Sequence, residues 1–251
     1  GGALDVVLIE PNEVYHSCFF SNLYLGNLRS YDSLAHRYDR LAADYGITLV
    51  RDRAVGIDRV ARQVALAAGG TLAYDRLVLA PGIDFRTETV PGWSEADAAI
   101  MPHAYKGGEQ VRLLRAQLEA MAPGGTFCVV APPNPYRCPP GPYERVSMAA
   151  HLLTRINPGA RILIVDPKPG FAKQALFEEG WQRHYPGMIE WIGPEMGGAE
   201  VEIRPATMEV VVGGAVEKVD VCNVIPGQKA GAIAEAAGLT EAGWVPVEAE
   251  G

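Results

Sequence analysis

The chain is 251 residues long, 48% hydrophobic and 21% charged, with a formal net charge of −8. That length fits one to two domains with a sizeable buried core. The acidic balance excludes the basic stripe that a nucleic-acid backbone demands, and no apolar run approaches the roughly 20 residues needed to span a bilayer, so neither a nucleic-acid partner nor a membrane span is expected.

Residues 5–10, DVVLIE, read as a short strand closing on an acid. In doubly wound nucleotide folds the second strand ends in a carboxylate that hydrogen-bonds the adenosine ribose, and Glu10 fits that role. A solvated strand end is the plain alternative. The G-x-G-x-x-G fingerprint and its strand would precede this point by about 20 residues, so the chain is expected to be a segment of a longer protein. Its first residues lack the charged and apolar regions of a signal peptide.

Residues 14–28 read as an irregular loop and a short helix, with Cys18 in YHSCFFSN. A helix is predicted over 33–45, capped by Ser33, with Leu34, Tyr38, Leu41 and Tyr45 on one face and Gly46 ending it. Strand patterns follow at 47–50 and 54–58. A hairpin is predicted from 63–67 and 71–74 around Gly69-Gly70. Residues 74–82, YDRLVLAPG, read as an apolar strand stopped by Pro81-Gly82, where a glycine lets the backbone approach a bound group.

After a polar connector over 86–101, residues 102–121 open with PHAYKGGEQ and become an amphipathic helix with Val111, Leu114, Leu118 and Met121 inward. A strand is predicted at 126–130 and a helix at 143–156. RILIVD at 161–166 mirrors DVVLIE, so the chain carries two related βαβ halves. A helix near 171–185 and strands near 188–192, 200–204 and 208–212 come next. Residues 219–226 mirror 74–82, and 231–237 are helical in pattern.

Between the strand at 126–130 and its helix lies APPNPYRCPPGPYER, residues 131–145. A strand–loop–helix in this place ordinarily cradles a nicotinamide dinucleotide, which needs glycines for close backbone approach and an open helix N-terminus. Prolines and Cys138 stand there instead. Proline stiffens a loop and removes amide donors, which suits holding a thiol and does not suit wrapping a phosphate.

The other cysteines are Cys18, Cys128 and Cys222. None of the four forms a zinc, C-x-x-C or C-x-x-C-H haem pattern. Cys128 and Cys222 lie in apolar strand-like runs and read as inert core residues. His16, His36, His103, His151 and His184 show no paired metal spacing, so no metal site is expected.

These motifs, LIEPN at 8–12, YHSCFFSN at 15–22, YDRLVLAPGI at 74–83, PHAYKGGEQ at 102–110, YRCPPGPYER at 136–145 and IPGQKAG at 225–231, resemble the flavoprotein subunit of flavocytochrome c sulfide dehydrogenase. YRCPPGPYER carries the most specific likeness and YHSCFFSN the next. The resemblance implies an α/β fold of two Rossmann-like FAD/NAD(P)-binding-type half-domains, incomplete at both termini. The implied divisions are an FAD-binding domain at 1–100 without its first strand and glycine loop, a second Rossmann-like domain at 101–226 with the Cys-Pro loop, and a return toward the FAD domain at 227–251.

The same resemblance implies a site. Glu10 binds the FAD ribose, and Cys18 matches the cysteine that bonds covalently to the flavin. Val55 lies in the segment whose backbone meets the adenine, and Ala80, Pro81 and Gly82 pass close to the FAD. Cys138 matches one cysteine of a redox disulfide above the flavin, with Glu144 as a nearby proton acceptor. The second cysteine would lie beyond Gly251. The implied activity is sulfide oxidation in the periplasm, with electrons passing to a c-type cytochrome subunit. Competing readings are a sulfide:quinone oxidoreductase, a nicotinamide-dependent reductase, and a truncated, non-catalytic domain that binds a partner.

Overall fold

The computed structural model describes residues 4–248. The chain forms two compact units, one built from residues 4–16, 35–84 and 229–248, the other from 17–34 and 85–228.

In chain order the elements are β1 (Val7–Ile9), β2 (Val14–His16), α1 (Ser21–Leu25), β3 (Ala35–Arg37), α2 (Asp39–Tyr45), β4 (Thr48–Val50), β5 (Ala54–Asp58), β6 (Gln63–Leu66), β7 (Thr71–Ala73), β8 (Ile83–Arg86) and α3 (Glu109–Ala120). They continue with β9 (Thr126–Val130), α4 (Gly141–Ile156), β10 (Arg161–Val165), α5 (Gln174–His184), β11 (Ile189–Ile192), β12 (Val201–Arg204), β13 (Glu209–Val212), β14 (Ala215–Lys218), β15 (Val221–Val224), β16 (Gly227–Ala230) and α6 (Ala232–Ala236).

In the first unit β1 pairs in parallel with β4. Strands β5, β6 and β7 form an antiparallel meander, whose last turn runs through Gly69 and Gly70 as the glycine pair predicts. Helix α2 ends at Gly46 in the left-handed region. Two expectations fail here. The helix predicted over 33–45 is a single 3-10 turn at Asp32–Leu34, a strand β3 and a helix beginning at Asp39. Ala35–Arg37 find ladder partners in β2, an antiparallel pairing of distant residues that periodicity does not report. Residues 75–82 form no strand, because a strand exists only where a neighbour supplies ladder bonds, and among the described residues none pairs there. Val78 is 91% exposed.

The second unit is organised on a four-stranded parallel sheet in the order β11-β10-β9-β15. TFCVV, RILIV and VCNV are near-continuous apolar runs because these strands are covered on both faces. One face packs on α4 through Tyr143, Val146, Ala149, Ala150 and Leu153. The other shares a core with Ile203, Val210 and Val212 of the antiparallel β12-β13-β14 sheet, together with Trp93 and Met101. Each fully buried Val, Leu or Ile there contributes about 1.5–3 kcal/mol by leaving water. Chain order runs outward from β9 to β10 and β11, then returns to β15 on the other side of β9. Such a reversal opens a crevice at the carboxyl end of β9, the place where doubly wound folds bind ligands.

Candidate functional site

The crevice at the end of β9 is filled by the chain itself. Five of the eleven residues from 131 to 141 are prolines, and proline has no amide donor. The first turn of α4 offers little more. The Gly141 amide is taken by the Cys138 carbonyl at 2.8 Å, position 142 is proline, and the Tyr143 and Glu144 amides both go to the Pro140 carbonyl. A pyrophosphate needs several free amides at a helix N-terminus, and this one has spent them.

The acid at the end of the β10 strand is equally committed. Asp166 is fully buried. Its Oδ2 accepts from the Tyr143 hydroxyl at 2.6 Å and the Trp191 indole at 3.0 Å. Its Oδ1 accepts from the Lys168 amide at 3.0 Å and pairs with the Lys168 ammonium at 2.7 Å. A carboxylate has about four acceptor positions, so none remains for a ribose. Above it, Phe171 stacks on Tyr143 with ring centroids 3.6 Å apart and meets Trp181 and Trp191. Burial and the bond to Asp166 hold the Tyr143 phenol far above its ordinary pKa. An open recess of about 490 Å³, edged by Tyr136, Pro139, Lys168 and Phe171, is what remains of the crevice.

Cys138 stands at the tip of this loop with a left-handed backbone, φ +61°. The residue as a whole is exposed, yet its sulfur is tucked against α4. A Cβ on Gly141 would come within 3.1 Å of Sγ and 2.7 Å of the Tyr105 hydroxyl, so only glycine fits there. Partial burial raises the thiol pKa first, and the Glu144 carboxylate next. The Gly141 amide opposes them, Cys18 adds a smaller upward push, and Arg137 a smaller downward one. Glu144 is held by the side-chain amide of Asn22, one helical turn beyond Cys18, which also donates to the Gly141 carbonyl. The structure therefore brings Cys18, Cys138 and Glu144 into one neighbourhood.

Beneath them lies Arg145, 2% exposed. Its guanidinium donates to Asn22 Oδ1, Asn223 Oδ1 and the carbonyls of His103 and Ala104, four neutral acceptors. Burial pulls its pKa down to about 10, while Tyr105, Cys138, Cys18 and Glu144 pull it back up. A cation buried among neutral acceptors favours negative charge nearby. Arg145 and Asn22 were not singled out in the sequence as site residues, though both lie inside the quoted motifs.

The remaining candidates, Glu10, Val55, Ala80, Pro81 and Gly82, belong to the first unit. Glu10 follows β1, where its Oε1 accepts from the Asn12 amide and Asn12 Nδ2 and its Oε2 from the Tyr38 hydroxyl. Three of about four acceptor positions are used, which leaves room for one ribose hydroxyl. Val55 is 50% exposed. Gly82 has φ +74°, and a Cβ built on it would meet nothing within 4 Å. The free acceptor position on Glu10, the open backbone at Gly82 and the exposed Val55 are each compatible with an adenine dinucleotide. Cys128 and Cys222 are register partners on β9 and β15 and fully buried. Its hydrogen bond to Cys128, together with burial, raises the Cys222 thiol pKa strongly, so these two are core as expected. Among the described residues no cluster of His, Cys, Asp or Glu could hold a metal, and no helix is long and apolar enough to cross a membrane.

The fold is shared with known reductases. A ferredoxin reductase from Rhodopseudomonas palustris superposes with a TM-score of 0.70 at 23% identity, over 97% of this chain and 57% of that one. The sulfide:quinone oxidoreductase of Aquifex aeolicus gives 0.68 at 16% identity, over 93% and 55%. Putidaredoxin reductase, in its covalent complex with putidaredoxin, gives 0.68 at 21%, over 94% and 56%. The chain thus spans just over half the length of these structures. Residues 111–226 match the family model of the sulfide dehydrogenase (flavocytochrome c) flavoprotein chain, central part. The chain accordingly shares the fold of these oxidoreductases, and its 111–226 segment is similar to the central part of the flavocytochrome c sulfide dehydrogenase flavoprotein chain.

Proposed function

We propose that this chain belongs to an FAD-dependent enzyme that oxidises sulfide through Cys138 and passes electrons to a c-type cytochrome subunit. The observation that carries the reading is the crevice at the end of β9. Its helix amides and its acid are internally satisfied, and a cysteine is displayed where a second dinucleotide would lie.

FAD would be held by Glu10, by the backbone near Val55 and at Ala80, Pro81 and Gly82, and by a covalent bond to Cys18. When bound it supplies a two-electron acceptor. The chain's own part begins with a disulfide between Cys138 and a second cysteine. Hydrosulfide attacks one sulfur. A new S–S bond forms, the old one breaks, and its electron pair stays on the departing thiolate. The products are one persulfide and one thiolate. Glu144 takes up the persulfide proton, and buried Arg145 favours the anionic sulfur. The proline loop holds the cysteine still while the stacked Phe171 and Tyr143 keep a nicotinamide out.

The test is anaerobic sulfide oxidation by the complete flavoprotein with either cytochrome c or a soluble quinone as acceptor. Cytochrome reduction without quinone reduction supports the proposal. Quinone reduction alone replaces it with the quinone-linked alternative, and no sulfide-dependent reduction of either removes it. Acid denaturation tests the Cys18 link: yellow colour stays with the polypeptide if the bond exists and leaves with the supernatant if it does not.

A further inference from the structure

The Cys138 backbone lies in the left-handed region that side chains other than glycine rarely adopt. Such a conformation persists only where the surroundings over-determine it. Here they do so through residues far away in sequence. The Arg137 amide donates to Gln228 Oε1 at 2.8 Å, a residue 91 positions on. The Tyr105 hydroxyl faces the Arg137 and Cys138 carbonyls at 2.9 and 3.0 Å, so its one hydrogen is shared between them. The Arg137 guanidinium closes the ring by donating to the Tyr105 carbonyl. Tyr105 is itself fixed, its amide on His103 Nδ1 at 3.1 Å and its ring beside the Arg137 and Arg145 cations.

Gln228 is informative for a second reason. It is 2% exposed, and its Nε2 is buried without a partner among the described residues. The amide cannot be turned to relieve this, because the Arg137 N–H requires an oxygen opposite it. A methionine or leucine would fill the same space without an unsatisfied donor. Packing therefore does not explain a glutamine at this position, whereas the bond to Arg137 does.

We propose that Tyr105 and Gln228 are positioning residues that hold the Arg137–Cys138 peptide in its left-handed form and so aim the Cys138 thiol. The inference rests on the proposed role of Cys138, but its test does not need sulfide oxidation. It assigns a task to the PHAYKGGEQ and IPGQKAG motifs, whose conformational grip converges on YRCPPGPYER.

The groups that face the thiol are Glu144 and Cys18, which push its pKa up, Arg137 and Arg145, which favour the thiolate, and the phenols of Tyr105 and Tyr136, themselves held above their ordinary pKa by burial. Releasing the loop lets water reach the sulfur and weakens the largest upward push, which is burial. In the complete protein, reduced and alkylated over a pH series with Cys138 read by peptide mass spectrometry, Tyr105→Phe and Gln228→Met should lower the midpoint of the Cys138 profile and raise its rate at pH 8 by roughly threefold or more. Unchanged profiles in folded variants overturn the proposal. A second measurement covers variants that fail to fold. Replacing Cys138 by Gly should give a higher melting temperature than replacing it by Ala, because only glycine accepts φ +61° without strain. Alanine as stable as glycine, or more so, overturns the proposal as well.

Discussion

The Tyr143 hydroxyl donates a 2.6 Å hydrogen bond to the fully buried carboxylate of Asp166. Tyr143 belongs to the first turn of α4 and Asp166 directly follows β10, so the bond joins the two elements that would have to separate to admit the adenosine end of a dinucleotide. With Trp191 and Lys168 on the remaining acceptor positions, opening the crevice breaks a satisfied buried network. At the switch point of the parallel sheet, the acid and the helix amides are thus engaged by the chain's own groups.

The first prediction concerns nicotinamide. NADH and NADPH at millimolar concentration should neither bleach the flavin of the complete protein nor release heat on titration. Saturable binding in the micromolar range would contradict the filled crevice.

Asp166 should behave as a structural carboxylate. Replacing it by Ala leaves the buried Lys168 ammonium without its partner, and breaking a buried pair this way costs roughly 3–5 kcal/mol. Urea denaturation followed by tryptophan fluorescence reads this directly, since Trp181 and Trp191 sit beside the network. A loss under about 1 kcal/mol would mean the pair is open to solvent.

Glu144 should hold the Cys138 thiol in its protonated form. Its charge ranks second only to burial in raising that pKa, so Glu144→Gln lowers it and enlarges the thiolate fraction at a fixed pH. Alkylation of reduced Cys138 at pH 8 should speed up by roughly two- to fivefold. Slower alkylation would place Glu144 elsewhere. The same variant should slow sulfide turnover if Glu144 is the proton acceptor.

His103 gives a pH dependence with a definite sign. Burial lowers its imidazole to about 4, with Lys106 and Arg145 adding to the effect. Its folded pKa is below the ordinary 6.5, so the unfolded chain gains a proton that the native state refuses. Stability is present above pH 6.5, falls as pH drops toward 4 and changes no further below that, by roughly 3 kcal/mol in all. His103→Asn keeps an acceptor for the Tyr105 amide and does not titrate, so urea midpoints at pH 7 and 4.5 should differ less in the variant. Equal losses in both proteins would contradict this account.

Much of the second unit was legible in the sequence because burial writes it there. Strands β9, β10 and β15 are covered on both faces and read as unbroken apolar runs, and α4 shows its buried stripe directly. The hairpin at Gly69-Gly70 follows from the turn the glycines allow. The segment 33–45 misled because its apolar spacing suits a helix, while the pairing of Ala35–Arg37 with β2 is a tertiary fact. YDRLVLAPG has the composition of a strand, but composition does not supply a neighbour. At the site, Cys18, Cys138 and Glu144 stood out by motif. Tyr105, Arg145 and Gln228 lay in the same motifs, but their contacts reach across 32, 78 and 91 positions. No local pattern reports a hydrogen bond at that separation.

The most direct test of the central claim is rapid anaerobic mixing of sulfide with the complete, oxidised flavoprotein, wild type against Cys138→Ser, followed at the flavin absorbance. The account predicts prompt bleaching in the wild type and a loss of roughly a hundredfold or more in rate without the sulfur, as expected when a covalent nucleophile is removed. Bleaching at the same rate in both proteins would contradict it.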